Sequence, residues 1–145
     1  MNVDVTSRTV IARSRPAVAA FAMDPDNAPK WYVNIKSVEW KTAPPLRAGS
    51  CVAFVAHFLG RRLAYTYEFT VYEPGSKLVM RTTEGPFAME TTYTFEDAPD
   101  GATAMALRNR GTPSGFAAII APFAAVAMRR ANRKDLARLK QLMEA

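Results

Sequence analysis

The amino-acid sequence predicts an α+β fold, and three observations carry that expectation. Between Ile35 and Arg110, short runs rich in Val, Tyr, Phe and Thr alternate with turns containing Gly and Pro, the pattern of an antiparallel strand meander. After Thr112-Pro113 the chain turns Ala-rich and reads as helix to its last residues. Ahead of the meander stand one strand and two short helical segments, so helices and strands are segregated rather than alternating.

The elements follow in order. "VDVTSRTVIA" alternates weakly and predicts a strand over about 3–12. Ser14 then offers an N-cap, with Pro16 in the first turn of a short helix. Two prolines in "DPDNAPKWY" allow only one further short turn, roughly 25–31. The strand "NIKSVEW" ends at the breaker "TAPPLRAGS". "CVAFVAHF" and "RRLAYTYEFTVY" form a hairpin about "LGR", and "EPGS" leads into "KLVMRT". "EGP" leads into "FAMETTYTFE", and "DAPDG" into "ATAMALRNRG". The sum is seven antiparallel strands with a long C-terminal helix as the one element able to cover the sheet's apolar side.

Bulk properties exclude several classes. A length of 145 residues suits one domain, 1–145, and 49% hydrophobic with 22% charged residues is a globular composition rather than a disordered one. The longest apolar run, Gly115–Met128, is shorter than the roughly 18–20 residues that a spanning helix needs. The first ten residues carry an acid and no apolar signal core, so a cytoplasmic protein is expected. One cysteine and one histidine rule out an internal disulfide and fall short of the usual zinc ligand set, so neither metal nor cofactor is expected. The net charge of +6 is concentrated in the tail, where six basic residues face Asp135 and Glu144 between Arg129 and Ala145. With no RNP-type aromatics, zinc finger or phosphate loop, specific nucleic-acid binding is not expected, and the basic cluster reads first as a solvated helix face.

Turn geometry fixes which side chains share a face. A four-residue "EPGS" loop sets Tyr72 opposite Lys77 and Glu68 opposite Arg81, which aligns Tyr65, Tyr67, Phe69 and Val71 with Leu78 and Met80. A turn at Gly60-Arg61 pairs Phe58 with Leu63, Ala56 with Tyr65 and Phe54 with Tyr67. Alternation places Phe87, Met89, Thr91, Tyr93 and Phe95 together, beside Met105, Leu107 and Asn109. On the opposite face, Glu68 meets Arg81 and Glu90 meets Arg108, read as an outer charge ladder rather than an acid–base pair. His57 falls on the outer side with Cys51 and Val55, so it reads as a surface histidine and Cys51 as a packing residue; no catalytic constellation emerges.

The phrases "YTYEFTVYEPGSKLVMRT", "GPFAMETTYTFED" and "DGATAMALRNRG", with the early "RSRPAVAAFAMDP" and the final helix, resemble the START-like (SRPBCC) superfamily, in its polyketide cyclase/dehydrase-like branch. The resemblance implies the helix-grip fold, a curved sheet wrapped around the last helix over a deep apolar cavity. Phe54, Tyr65, Tyr67, Phe69 and Met80 are then candidate ligand-binding residues from the middle strands, and Met89, Tyr93, Met105 and Asn109 from the last two. Each tyrosine either lines that cavity or packs with its hydroxyl on a neighbouring polar group. Trp31 is placed either near the cavity mouth or in a helix–sheet contact.

On the helix, Phe116, Ile119, Ile120, Phe123 and Ala127 form one stripe, and Leu136, Leu139 and Met143 a second one well around the barrel of the helix. Pro122 should kink or break the helix between the two. Phe116, Ile120 and Phe123 join the candidate ligand set, with burial expected for Ile120 and Phe123 and left open for Phe116. The function expected first is binding of a hydrophobic small molecule of lipid, polyketide or isoprenoid type. An aromatase/cyclase-type enzyme is the alternative. A third reading is an interaction module using the basic C-terminal helix on an anionic membrane or nucleic acid, and its membrane form predicts Phe116 and Phe123 exposed. The oligomeric state is not specified by these patterns.

Overall fold

A computed structural model describes residues 3–58, 60–85, 88–112 and 121–145. Strand β1 (Val3–Ile11) is followed by helix α1 (Arg15–Met23), a 3-10 turn (Pro25–Asn27) and helix α2 (Ala28–Trp31). Strands β2 (Ile35–Trp40), β3 (Cys51–Phe58), β4 (Arg61–Glu73), β5 (Lys77–Glu84), β6 (Ala88–Ala98) and β7 (Ala102–Thr112) come next, then helix α3 (Ala121–Glu144). The sheet has the order β1-β7-β6-β5-β4-β3-β2, with every neighbouring pair antiparallel. The expected α+β helix-grip architecture is the one observed.

The local sequence accounts for the element ends. Ser14 has the extended backbone of an N-cap and Pro16 sits in the first turn of α1, where its missing N–H costs nothing. Asp24 caps the 3-10 turn by accepting from the Asp26 N–H at 3.0 Å. Asp100 and Gly101 both take left-handed φ values, 63° and 73°, which lets the β6–β7 hairpin close in three residues.

Registers differ from the expected ones by whole pleats. The β3–β4 hairpin closes about two residues, 59 and 60, so Phe58 opposes Arg61, Ala56 opposes Leu63 and Phe54 opposes Tyr65. The β6–β7 hairpin sets Ala98 opposite Ala102 and therefore Glu90 opposite Arg110, not Arg108. Both shifts are two residues, and a shift of two leaves every side chain on its expected face. At β4–β5, Glu68 does oppose Arg81, but Glu73, not Tyr72, pairs with Lys77. An irregularity between Phe69 and Val71 absorbs the extra residue, Thr70, and turns Tyr72 rather than Val71 to the side of Leu78.

The outer face carries the charges. Glu68 and Arg81 stand 3.6 Å apart, Glu90 and Arg110 2.9 Å, and Arg108 makes a two-pronged contact with Asp4 of β1 at 2.9 and 2.7 Å. His57 is exposed and Cys51 half-buried, both away from the inner side.

The inner face is apolar. Val52, Phe54, Tyr65, Tyr67, Phe69, Leu78, Met80, Tyr93, Phe95, Met105 and Leu107 are buried there and pack with Val18, Trp31, Leu136, Leu139 and Met143. Helix α3 makes its main backbone approach to β1 and α2. The strands between face it across a gap. The kink or break expected at Pro122 falls at the edge of the described residues, since 113–120 lie outside them.

Candidate functional site

The gap between sheet and α3 is a cavity of about 130 Å³. Its walls come from the inner faces of β3–β7, from the segment Ala22–Ile35 and from one side of α3. Phe54, Tyr65, Tyr67, Phe69, Met80, Met89, Tyr93 and Asn109 all stand on these walls, so most of the expected set is brought together. Met105 is not on the wall: it opposes Phe95 and Thr9 and is fully packed in the core. Phe123 is 74% exposed, which corrects the expectation of burial. Phe116 and Ile120 lie outside the described residues.

The reason for the Phe123 error is helical phase. The inner side of α3 is set by Met128, Asn132, Asp135, Leu136, Leu139 and Met143, all buried. At about 100° per residue, Phe123 and Val126 fall on the far side, in line with Arg130, Arg133 and Lys134. Trp31, also ambiguous in sequence, is fully buried in a helix–sheet contact, its ring 4.2 Å from that of Tyr32 and 5.6 Å from that of Tyr93.

One end of the cavity wall is polar, and sequence reasoning singled out only part of it. The hydroxyls of Tyr32 and Tyr93 are 2.5 Å apart and hydrogen-bonded. Asp135, 3% exposed, accepts the backbone N–H of Val33 on Oδ1 at 2.8 Å. Thr91 donates to Asn109 Oδ1 at 2.5 Å, and Asn109 Nδ2 donates to Asn132 Oδ1 at 3.2 Å. This hydrogen-bond chain ends at Asn132 Nδ2, which is buried and without a partner among the described residues.

Burial governs the charge states here. Loss of hydration pushes the Tyr65 hydroxyl up to about 12 and raises those of Tyr32, Tyr67 and Tyr93 well above the ordinary range, so all four are neutral phenols. The same desolvation raises the Asp135 carboxyl to about 7, against the opposing pull of the Val33 N–H. Tyr32, Asn132 and Asp135 left only faint sequence signals. Asn132 and Asp135 stand three apart within the phase of Leu136 and Leu139, but within a basic tail Asp135 reads as a counter-charge. No group of three or more His, Cys, Asp or Glu side chains able to hold a metal occurs among the described residues.

A curved antiparallel sheet gripping a C-terminal helix over a partly polar cavity defines a helix-grip protein of the START-like type. The chain belongs to the family described as polyketide cyclase/dehydrase and lipid transport, which matches residues 2–144. No curated protein matches it in sequence. Among solved structures, it resembles a START superfamily protein from Mycobacterium smegmatis, at 12% identity and TM-score 0.80 over 97% of each chain. It also resembles the Zhui aromatase/cyclase from Streptomyces sp. R1128, at 13% identity and TM-score 0.82 over 99% of this chain and 94% of that one. A ginseng (Panax ginseng) major latex-like protein shares 10% identity at TM-score 0.77 over 99% of both chains. Likeness at these identities is likeness of fold.

Proposed function

We propose that this protein binds a hydrophobic small molecule, of lipid, polyketide or isoprenoid type, between the inner face of its sheet and α3. The observation that carries the reading is the cavity itself. A space of about 130 Å³ between sheet and helix is more than a close-packed structural core leaves. Its walls have the make-up of a small-molecule site, mainly aromatic and Met side chains with a few convergent polar groups. Apolar contact at roughly 25 cal/mol per Å² supplies the affinity, and the polar end orients the ligand. The family's description, which includes lipid transport, agrees with this reading. Native mass spectrometry of gently purified protein tests it: a co-purifying apolar molecule is expected, and failure to retain any apolar compound refutes it.

The cyclase alternative gains a titratable group in Asp135, which the sequence did not single out. Turnover of a poly-β-ketone that is lost in Asp135→Asn while the compound still binds would favour the enzyme over the carrier.

One observation supports a membrane contact alongside ligand binding. Phe123 and Val126, 74% and 64% exposed, share the outer side of α3 with Arg129, Arg130, Arg133 and Lys134. Apolar side chains beside exposed cations suit an anionic lipid surface. Sedimentation with phosphatidylserine vesicles, weakened by salt and by Phe123→Ser, is the expected result; equal sedimentation with neutral vesicles refutes it.

A further inference from the structure

The polar end of the cavity contains two groups whose hydrogen-bonding capacity is unused. Asn132 Nδ2 is a donor with no acceptor among the described residues, on a residue 4% exposed. Its orientation is fixed from behind, because Asn109 Nδ2 already donates to its oxygen and Thr91 holds Asn109 in turn. Asp135, one helical turn further on, commits Oδ1 to Val33 and leaves Oδ2 without a partner among the described residues. Both residues belong to the cavity wall. A buried donor is nearly always satisfied, so Asn132 Nδ2 calls for an acceptor, and Asp135 Oδ2 is open on the same wall.

The two groups ask for complementary things. Asn132 presents a donor and needs an acceptor, whereas the Asp135 carboxylate needs a donor. A ligand carboxylate would meet the carboxyl of Asp135 with like charge. An ether or ester offers no proton. An ammonium offers no lone pair to Asn132. A hydroxyl both accepts and donates through one oxygen, and so answers both. The adjacent Tyr32–Tyr93 hydroxyl pair keeps a further neutral polar neighbour beside the same spot.

Resting on the ligand-binding reading above, we infer that the cavity selects apolar alcohols or phenols, whose hydroxyl accepts from Asn132 Nδ2 and donates to Asp135 Oδ2. The rest of the ligand lies along the aromatic and Met wall, with Phe54, Tyr67 and Met80 as its floor. Specificity then comes from the penalty of leaving both buried groups unpaired when the hydroxyl is absent.

The experiment compares three probes of similar shape, naphthalene, β-naphthol and β-naphthol methyl ether, by equilibrium dialysis against the full chain at pH 8, where Asp135 is mainly ionised. β-Naphthol should bind at least tenfold more tightly than its methyl ether. In Asp135→Asn the amide oxygen retains the Val33 N–H and the amide nitrogen turns a second donor to the ligand, so the preference should vanish or invert. Naphthalene affinity should stay within about twofold in that variant, showing an intact cavity. Equal wild-type affinity for the phenol and its ether overturns this inference while leaving the cavity reading standing, since naphthalene still binds. Failure of all three probes to bind overturns both. A preference for the phenol that persists undiminished in Asp135→Asn also overturns the inference, because the hydroxyl is then recognised elsewhere.

Discussion

Replacing Asp135 by Asn should change how stability depends on pH. In the fold the carboxyl is held at about 7 against an ordinary value of 3.8, chiefly because burial strips it of water. The native state therefore keeps this proton over a range in which the unfolded chain has released it. Stability drawn from this group falls as pH rises from about 4 to about 7 and levels off above that. Roughly three pKa units correspond to about 4 kcal/mol at the alkaline end, a ceiling for a side chain so fully removed from solvent. Asp135→Asn keeps an oxygen for the Val33 N–H and abolishes the titration. Its stability relative to the wild type should thus grow by about 3 kcal/mol between pH 5 and pH 8. Urea unfolding at each pH, followed by the fluorescence of the fully buried Trp31, measures the difference. Any fixed cost of burying the amide cancels in that comparison. A gap that stays constant, or one that narrows as pH rises, would refute the assignment of a buried, nearly unpaired carboxyl.

Leu139→Ala empties a fully buried site where α3 meets the core and should cost about 2–5 kcal/mol, read as a lowered urea midpoint with unchanged slope. Gly111→Ala should cost about 1–3 kcal/mol by the same assay, because a Cβ there would come within 2.4 Å of the Ala88 carbonyl oxygen on β6. Tyr93→Phe leaves the Tyr32 hydroxyl without its partner and should cost about 1–3 kcal/mol. Adding Tyr32→Phe should cost less than the two single changes summed, and strict additivity would show that the pair is not coupled.

Much of the fold was legible in the sequence because its signals have short periods. The order of elements and the inner face of the central strands, up to Phe69 on β4, follow from alternation alone, which a two-residue slip at Gly60 or at Asp100-Gly101 cannot disturb. What alternation does not encode is turn length, so Arg110 rather than Arg108 faces Glu90 and the ladder slides by one pleat. The extra residue at Thr70 was hidden for a related reason. Its effect cancels before Glu68 meets Arg81, and only Tyr72 and Val71 betray it. The helix was harder. A helical stripe can be drawn through Phe123 or through Asn132 and Asp135 with similar ease, and the choice depends on which side meets the sheet. The polar wall is assembled from β6, β7, α3 and the segment after α2, so no local window of sequence contains it. Tyr93 and Asn109 came from strand parity, whereas Tyr32 and Asp135 required the tertiary arrangement.

The place of β1 at the edge beyond β7 bears on how the chain comes to be folded. Val3 is paired with Gly111, and the same strand is the main backbone neighbour of α3. Strands β2 to β7 can assemble one hairpin at a time as they are made, since each pairs with the next. The first strand has to wait for the last, with its apolar Val3, Val5 and Ile11 unpaired until then. Such non-local pairing is slow, because a long loop must close before any contact rewards it. Docking of β1 and α3 is therefore also the step that places a helix over the apolar trough of the sheet, so the binding site and the completed fold arrive together.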